Sequence, residues 1–182
     1  MKKFLLISLI CLSFLVSAYK KPDVYVIDAE KNAYTHNNMG LVYVEEKCYY
    51  AAIQEFKIAI SLNPNTQATA VYYNNLGEVY LKIGYPDYAL DCFQRALKQF
   101  SLNFKYYNNL AKTYKMLGLL DRKISDISTE HNPLGKILLG LLYEQKGEIT
   151  KAITNINKVG SSSVEKKKKG KYDKNINNKE EM

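Results

Sequence analysis

Paired asparagines recur at three places within the predicted helices and give the sequence hydrogen-bonding groups in a regular pattern, while a fourth pair, Asn177-Asn178, lies in the C-terminal tail. The second members of the three helical pairs are Asn38, Asn75 and Asn109, and the first members are Asn37, Asn74 and Asn108. Asparagine is a mediocre helix former, so helix propensity does not explain its recurrence inside predicted helices. Because a side-chain amide both donates and accepts hydrogen bonds, a row of such amides could bind the backbone of an extended peptide. Alternatively, these side chains cap local backbone, contact an adjacent helix pair, or recur by chance in an Asn-rich chain.

Charged and apolar side chains close to these asparagines could make such a peptide site selective. The candidates are Tyr34, Leu41, Glu78, Lys105, Lys112 and Lys115. Of these, Glu78, Lys105 and Lys112 complete the predicted peptide-binding set. The partner that this set implies is another protein or an extended peptide.

Residues that could support catalysis or bind a metal do not form a recognisable motif. The histidines, His36 and His131, are far apart, and the sequence has no metalloprotease, P-loop, nucleophile-elbow or cysteine-pair motif. Cys48 is expected at a turn and Cys92 in a helix, and a disulfide requires a Cα separation of about 4.4–6.8 Å. Whether these two cysteines pair is left open. We predict no enzymatic activity, no catalytic residue, no metal site and no cofactor.

The residues around the second asparagine pair predict two helices. Tyr73, Leu76, Gly77 and Tyr80 are spaced as one stripe of a helix. Gly84 would end that helix in a left-handed conformation, and Pro86 suits the first turn of the next. Ala89, Phe93 and Ala96 then form the stripe of a second helix. Gly77, Ala89 and Ala96 are small, which predicts a close approach of the two helix backbones.

The order and spacing of Leu76-Gly77, Tyr80, Ala89 and Phe93 resemble the tetratricopeptide repeat, a unit of about 34 residues. Similar units are expected at about 33–66, 70–103, 104–132 (truncated) and 133–159. The resemblance implies an all-α, right-handed superhelix of antiparallel helix pairs, with His36 packed in an aromatic position of the first unit. It also implies that the first helix of each pair lines a concave protein-binding wall. Chaperone-binding relatives grip a C-terminal carboxylate with a set of basic residues, and only Lys105 resembles a member of that set.

The residues expected to pack helix against helix are those at the positions that define the repeat. They are Gly40, Tyr43, Ala52, Phe56, Leu76, Gly77, Tyr80, Ala89, Phe93, Tyr114, Gly140, Tyr143 and Ala152.

The two ends of the chain differ from the repeats. Residues 1–18 combine two lysines, an apolar run and small residues at the end, which is typical of a secretory signal peptide. Export to a periplasm or the exterior is expected, and the alternatives are an uncleaved membrane anchor or a lipidated Cys11. Residues 19–32 have no predicted structure. Residues 160–182 are rich in lysine and asparagine and are expected to be disordered, because they lack apolar periodicity.

The formal net charge of +8 does not predict nucleic-acid binding. A nucleic-acid site needs a concentrated basic face, whereas much of the excess charge lies at the two ends of the chain. The run Lys166 to Lys169 could make a weak contact with a membrane or another polyanion. The predicted function is therefore a non-catalytic scaffold that binds an extended partner segment. The alternative is a structural protein that forms homodimers through uncapped repeat ends.

Overall fold

The computed structural model describes residues 28–130 and 132–159, which form eight helices joined by short turns. The helices are α1 (Ala29–Glu45), α2 (Tyr49–Leu62), α3 (Gln67–Lys82), α4 (Pro86–Gln99), α5 (Phe104–Met116), α6 (Leu120–Ile127), α7 (Pro133–Lys146) and α8 (residues 149–159). The described residues contain no strand, and the predicted all-α fold is confirmed. The predicted signal peptide, residues 19–27 of the N-terminal segment, His131 and the lysine-rich tail lie outside the described residues.

Side-chain caps and a proline mark the first turns of three helices. Asp28 accepts a hydrogen bond from the backbone N–H of Lys31 at 2.9 Å and so caps α1. Thr66 forms a capping box with Thr69 at the start of α3. Pro86 lies in the first turn of α4, where its missing N–H would have had no helical partner.

The first helix of each pair is followed by a residue in the left-handed conformation. Gly84, Gly118 and Gly147 have φ angles of +82°, +70° and +87°. Glycine adopts this conformation without the steric cost that a Cβ atom imposes. The equivalent residue of the first pair is Lys47, which has φ of +61°.

We expect Lys47→Gly to raise the free energy of unfolding by about 0.5–1 kcal/mol. The substitution removes a left-handed penalty of about 1–2 kcal/mol but gives the unfolded chain more conformational freedom. Urea denaturation followed by circular dichroism measures the change. The converse substitution, Gly84→Lys, should lower the free energy of unfolding. If both variants changed this free energy in the same direction, the explanation would be wrong.

Within three of the pairs, a glycine on the first helix lies against a large side chain of the second. A Cβ atom added to Gly40 would lie 2.6 Å from Cε1 of Phe56, and one added to Gly77 would lie 2.7 Å from Cε1 of Phe93. A Cβ atom at Gly140 would lie 2.6 Å from Cγ1 of Ile156. Both phenylalanines are fully buried. The backbones can therefore approach closely only where these positions lack a side chain.

The other residues expected to pack helix against helix lie at helix contacts. Ala52, Ala89, Ala152, Leu76 and Tyr114 are buried. Tyr43, Tyr80 and Tyr143 are partly buried against the hydrophobic clusters. The ring of Tyr80 also stacks on that of Tyr88, with centroids 5.3 Å apart.

The pairs are stacked so that their first helices form one wall. Helix α3 contacts α1 on one side and α5 on the other. Among the described residues, the second helices α2, α4 and α6 do not contact one another. A stack whose members touch along one side only is curved, and the touching side is the inner one. Helices α1, α3 and α5 therefore line the concave wall.

The concave wall changes character at α7. Helix α6 has 8 residues, whereas α2 and α4 each have 14, and α7 packs directly against α5. As a result, Leu138 and Leu141 on α7 are buried in the same hydrophobic cluster as Leu110 of α5. The accessible part of the wall is formed mainly by the three earlier first helices.

Candidate binding groove

The concave wall presents a row of accessible side chains on three neighbouring helices. We call this surface the inner groove and define it by Tyr34 and Leu41 of α1, Val71 and Glu78 of α3, and Lys105 and Lys112 of α5. On each helix the two residues are seven positions apart, which is about two turns, so they share a face. The opposite face of each helix carries the buried residues, such as Leu76 on α3 and Leu110 on α5. The helical period thus separates a packing face from a groove face.

Beneath this row, asparagine amides link each first helix to the next. Asn75 donates from Nδ2 to Oδ1 of Asn37 over 2.9 Å, joining α3 to α1. Asn109 donates to Oδ1 of Asn74 over 2.9 Å, joining α5 to α3 in the same way. Asn37 and Asn74 are 5% and 2% exposed, so their amides serve mainly to hold adjacent helix pairs together. A buried amide left without such a partner would destabilise the fold.

The structure therefore separates the six predicted asparagines into two groups. Asn37, Asn74 and Asn109 are buried, whereas Asn38, Asn75 and Asn108 are half-buried. The sequence did not indicate which member of each pair would be inside. Four of the six side chains form hydrogen bonds to the adjacent helix pair, as one structural alternative predicted. They are Asn37, Asn74, Asn75 and Asn109. Peptide binding by the row stays a prediction.

Glu78 is the centre of a polar cluster between α3 and α5. Its Oε1 accepts hydrogen bonds from Asn74 at 3.0 Å and Asn109 at 2.9 Å, and lies 2.7 Å from Nζ of Lys105. Burial raises the pKa of Glu78, but the hydrogen bonds from Lys105, Asn74 and Asn109 favour the carboxylate. The net effect is a pKa below the usual value. The sequence predicted Glu78 and Lys105 as groove residues without predicting that they pair.

The lowered pKa of Glu78 predicts an acid-dependent contribution to stability. This contribution is present above the unfolded-state pKa and is lost as the pH falls through the lower folded-state pKa. We expect Glu78→Gln to reduce the free energy of unfolding by about 1 kcal/mol at pH 7, and the difference from wild type to shrink at pH 3. Urea unfolding at a series of pH values tests this. A difference independent of pH would show that the carboxylate charge has no role.

His36 joins the two helices of the first pair. Its Nδ1 lies 2.6 Å from Oε2 of Glu55, so the ring is held between α1 and α2. About a third of the side chain of His36 is exposed, against 16% for Glu55. The aromatic position of the repeat predicted packing for this histidine, and the carboxylate partner could not be inferred from that pattern.

The cysteines and acidic residues of the described ranges form neither a disulfide nor a metal-binding group. Cys48 is exposed, Cys92 is buried, and both are free thiols. Burial, above all other causes, raises the pKa of Cys92 to about 12, which keeps this thiol protonated. Residues 28–130 and 132–159 contain no group of three histidine, cysteine or acidic residues able to hold a metal ion. In the same ranges no helix has both the length and the apolar character that a membrane span requires.

Comparison with known families and structures agrees with this architecture. Residues 32–101, which span most of the first two helix pairs, match the family model described as tetratricopeptide repeat. The match shows that this part of the chain is similar to that repeat. No curated protein sequence matches the chain significantly.

Solved structures share the fold at low sequence identity. The crystal structure of MamA has 24% identity and a TM-score of 0.51, covering 78% of this chain and 83% of that one. The second tetratricopeptide domain of human RPAP3, determined with the HSP70 peptide SGPTIEEVD, has 18% identity, a TM-score of 0.50 and coverages of 72% and 98%. The first such domain of Spaghetti, bound to the HSP90 peptide SRMEEVD, has 15% identity, a TM-score of 0.50 and coverages of 74% and 95%. At these identities the likeness is one of fold alone.

Proposed function

We propose that this protein, whose first two helix pairs match the tetratricopeptide repeat, is a non-catalytic scaffold that binds an extended segment of another protein in its inner groove. Tetratricopeptide repeats are protein–protein interaction modules that are generally non-catalytic, and two of the similar structures were determined with a peptide bound. The observation that carries the proposal is the row of accessible side chains at two-turn spacing on three adjacent helices.

The asparagines can serve such a groove while they hold the repeats together. An amide has two N–H donors and a carbonyl oxygen with two lone pairs, so one hydrogen bond to a neighbouring helix uses only part of its capacity. Asn38 and Asn75 are half-buried and remain accessible in part. We propose that they hydrogen-bond the backbone of the bound segment, while side chains around them select its sequence.

Site-specific photocrosslinking tests the location of the binding surface. A photoreactive amino acid replaces Val71, which is 42% exposed in the groove, or Ile58, which is 38% exposed on the second helix α2. The proposal predicts one defined adduct from position 71 in the native compartment and none from position 58. Excess unlabelled protein should compete for the adduct, since binding is saturable. Equal labelling from both positions would contradict a groove site.

A second candidate function is self-association through the last helix. On α8, Ile149, Ile153 and Ile156 are spaced along one face and are 54%, 53% and 37% exposed. In the rest of the stack, the second helix of a pair is packed against the first helix of the following one, as α2 is against α3. Helix α8 is the last described helix and exposes an apolar face of that kind, which a second copy could cover.

Sedimentation velocity of the whole protein at several concentrations tests this second candidate. Self-association predicts a mass near twice that of the monomer at high concentration. Ile153→Glu should then restore the monomer, because it places a charge in the apolar contact. Ile58→Glu makes the same change at an exposed isoleucine of α2 and serves as the control. A monomer at every concentration would rule out the dimer.

Export is the remaining part of the proposal and rests on residues 1–18. We propose that the scaffold acts after cleavage near Ala18, which makes Tyr19 the first residue of the mature protein. Mass spectrometry of protein taken from its native compartment measures that terminus. An intact N-terminus in the membrane fraction would indicate an anchor instead, and a lipidated Cys11 would indicate a lipoprotein.

A further inference from the structure

We propose that the inner groove selects a partner segment of divided chemistry, with apolar side chains over α1 and α3 and carboxylate side chains over α5. This inference rests on the proposed groove function and specifies the class of ligand. Two independent features of the groove carry it: the exposed apolar residues at one end and the unopposed lysines at the other.

The apolar end of the groove is formed by large side chains that are accessible in this chain. Tyr34 is 61% exposed, Leu41 is 41% exposed and Val71 is 42% exposed. Tyr34 and Leu41 lie seven residues apart on α1, and Val71 lies on the groove face of α3. Covering such surface with an apolar side chain removes apolar area from water and so favours binding.

The basic end of the groove is formed by α5, which carries three lysines and no acidic residue. Lys105 pairs with Glu78 but remains 58% exposed, and its ammonium has three donors. Lys112 and Lys115 are exposed, and no acidic side chain of the described ranges lies within ion-pair distance of either. The carboxylate of Glu78 is already occupied by Lys105, Asn74 and Asn109. The excess charge at this end is therefore positive and open to an anionic ligand.

The distance between the two ends fixes the spacing expected in the ligand. Packed helices lie about 8–10 Å apart, so α1 and α5 are separated by about 16–20 Å across α3. An extended chain advances about 3.3 Å per residue, and five or six residues cover this distance. The expected ligand therefore places an apolar side chain five or six residues from an aspartate or glutamate.

A position-scanning library of synthetic decapeptide mixtures tests the inference directly. Each mixture fixes one residue type at one position, and binding of the whole protein is measured by fluorescence at low and high salt. We expect selection of aliphatic or aromatic residues at one position and of Asp or Glu five or six positions away. Selection of the acidic residues should weaken at high salt, since exposed charges are screened.

Charge-reversed variants connect that selection to α5. In the double variant Lys112→Glu with Lys115→Glu, binding of acidic mixtures should fall at least about tenfold, and basic mixtures should be preferred. The double variant Lys57→Glu with Lys98→Glu makes the same change at exposed lysines of the second helices α2 and α4, and should leave the selection unchanged.

The possible outcomes distinguish this inference from the function on which it rests. Binding of mixtures without acidic selection, or with selection unchanged in the α5 variant, overturns the divided chemistry and leaves the groove function standing. Binding of no mixture, by a protein with a native circular dichroism spectrum, overturns both.

Discussion

Phe93→Ala is expected to lower the free energy of unfolding by about 3–5 kcal/mol, the range typical of a fully buried aromatic residue. Phe93 is 0% exposed, and its ring lies against Gly77 within its own helix pair. It also belongs to the hydrophobic cluster that includes Tyr107 and Leu110 of the next pair. Removing the ring leaves a cavity in one pair and weakens its contact with the next, so stability and cooperativity should both fall.

Urea denaturation followed by circular dichroism at 222 nm measures the effect of Phe93→Ala. Phe104→Ala provides a matched control, because Phe104 is 57% exposed at the start of α5. The control should change the free energy of unfolding by less than about 0.5 kcal/mol. Similar losses in the two variants would show that Phe93 does not join the repeats in the way described.

The helix pairs could be predicted because their determinants are local or periodic. Gly77 and Phe93 lie 16 residues apart, and Gly40 and Phe56 repeat the same interval. With a turn at a fixed position between two helices, this interval is enough to bring the glycine and the ring together. Gly84 similarly marks the end of α3, because only a residue tolerant of positive φ suits that position.

The asparagine contacts could not be predicted from spacing, because they depend on how neighbouring pairs are rotated. Asn74 and Asn75 are adjacent and therefore point about 100° apart around α3. One bonds forward to Asn109, and the other bonds back to Asn37. Which member is buried is decided by the packing of α1 and α5 on either side. A sequence pattern that marks both members equally contains no information about that packing.

Long-range polar contacts were missed for a related reason. The acceptor role of Glu78 requires side chains from α3 and α5 to converge on one oxygen atom. Glu55 reaches His36 across 19 residues of chain. The two sites lie between different elements, and neither has a sequence motif of its own. They form only when the packed helices bring these side chains together.

Gly77→Ala is expected to lower the free energy of unfolding by about 1–3 kcal/mol, although alanine is the better helix former. The added Cβ atom would lie 2.7 Å from Cε1 and 2.9 Å from Cζ of Phe93. The ring is completely buried, and because protein interiors are close-packed, moving it should displace its neighbours. Overpacking should therefore exceed the gain of about 1 kcal/mol in helix propensity. An increase in stability, measured by urea denaturation, would contradict this.

The third helix pair indicates how the cost of Gly77→Ala can be relieved. There Ala111 occupies the glycine position and Ile127 the phenylalanine position, so a larger residue faces a smaller one. We expect the double variant Gly77→Ala with Phe93→Ile to be more stable than the sum of the single changes predicts, by at least about 1 kcal/mol. The Cβ atom fills part of the space that the shorter side chain leaves. Additivity within about 0.5 kcal/mol, the behaviour of sites that do not interact, would show that the two positions are independent.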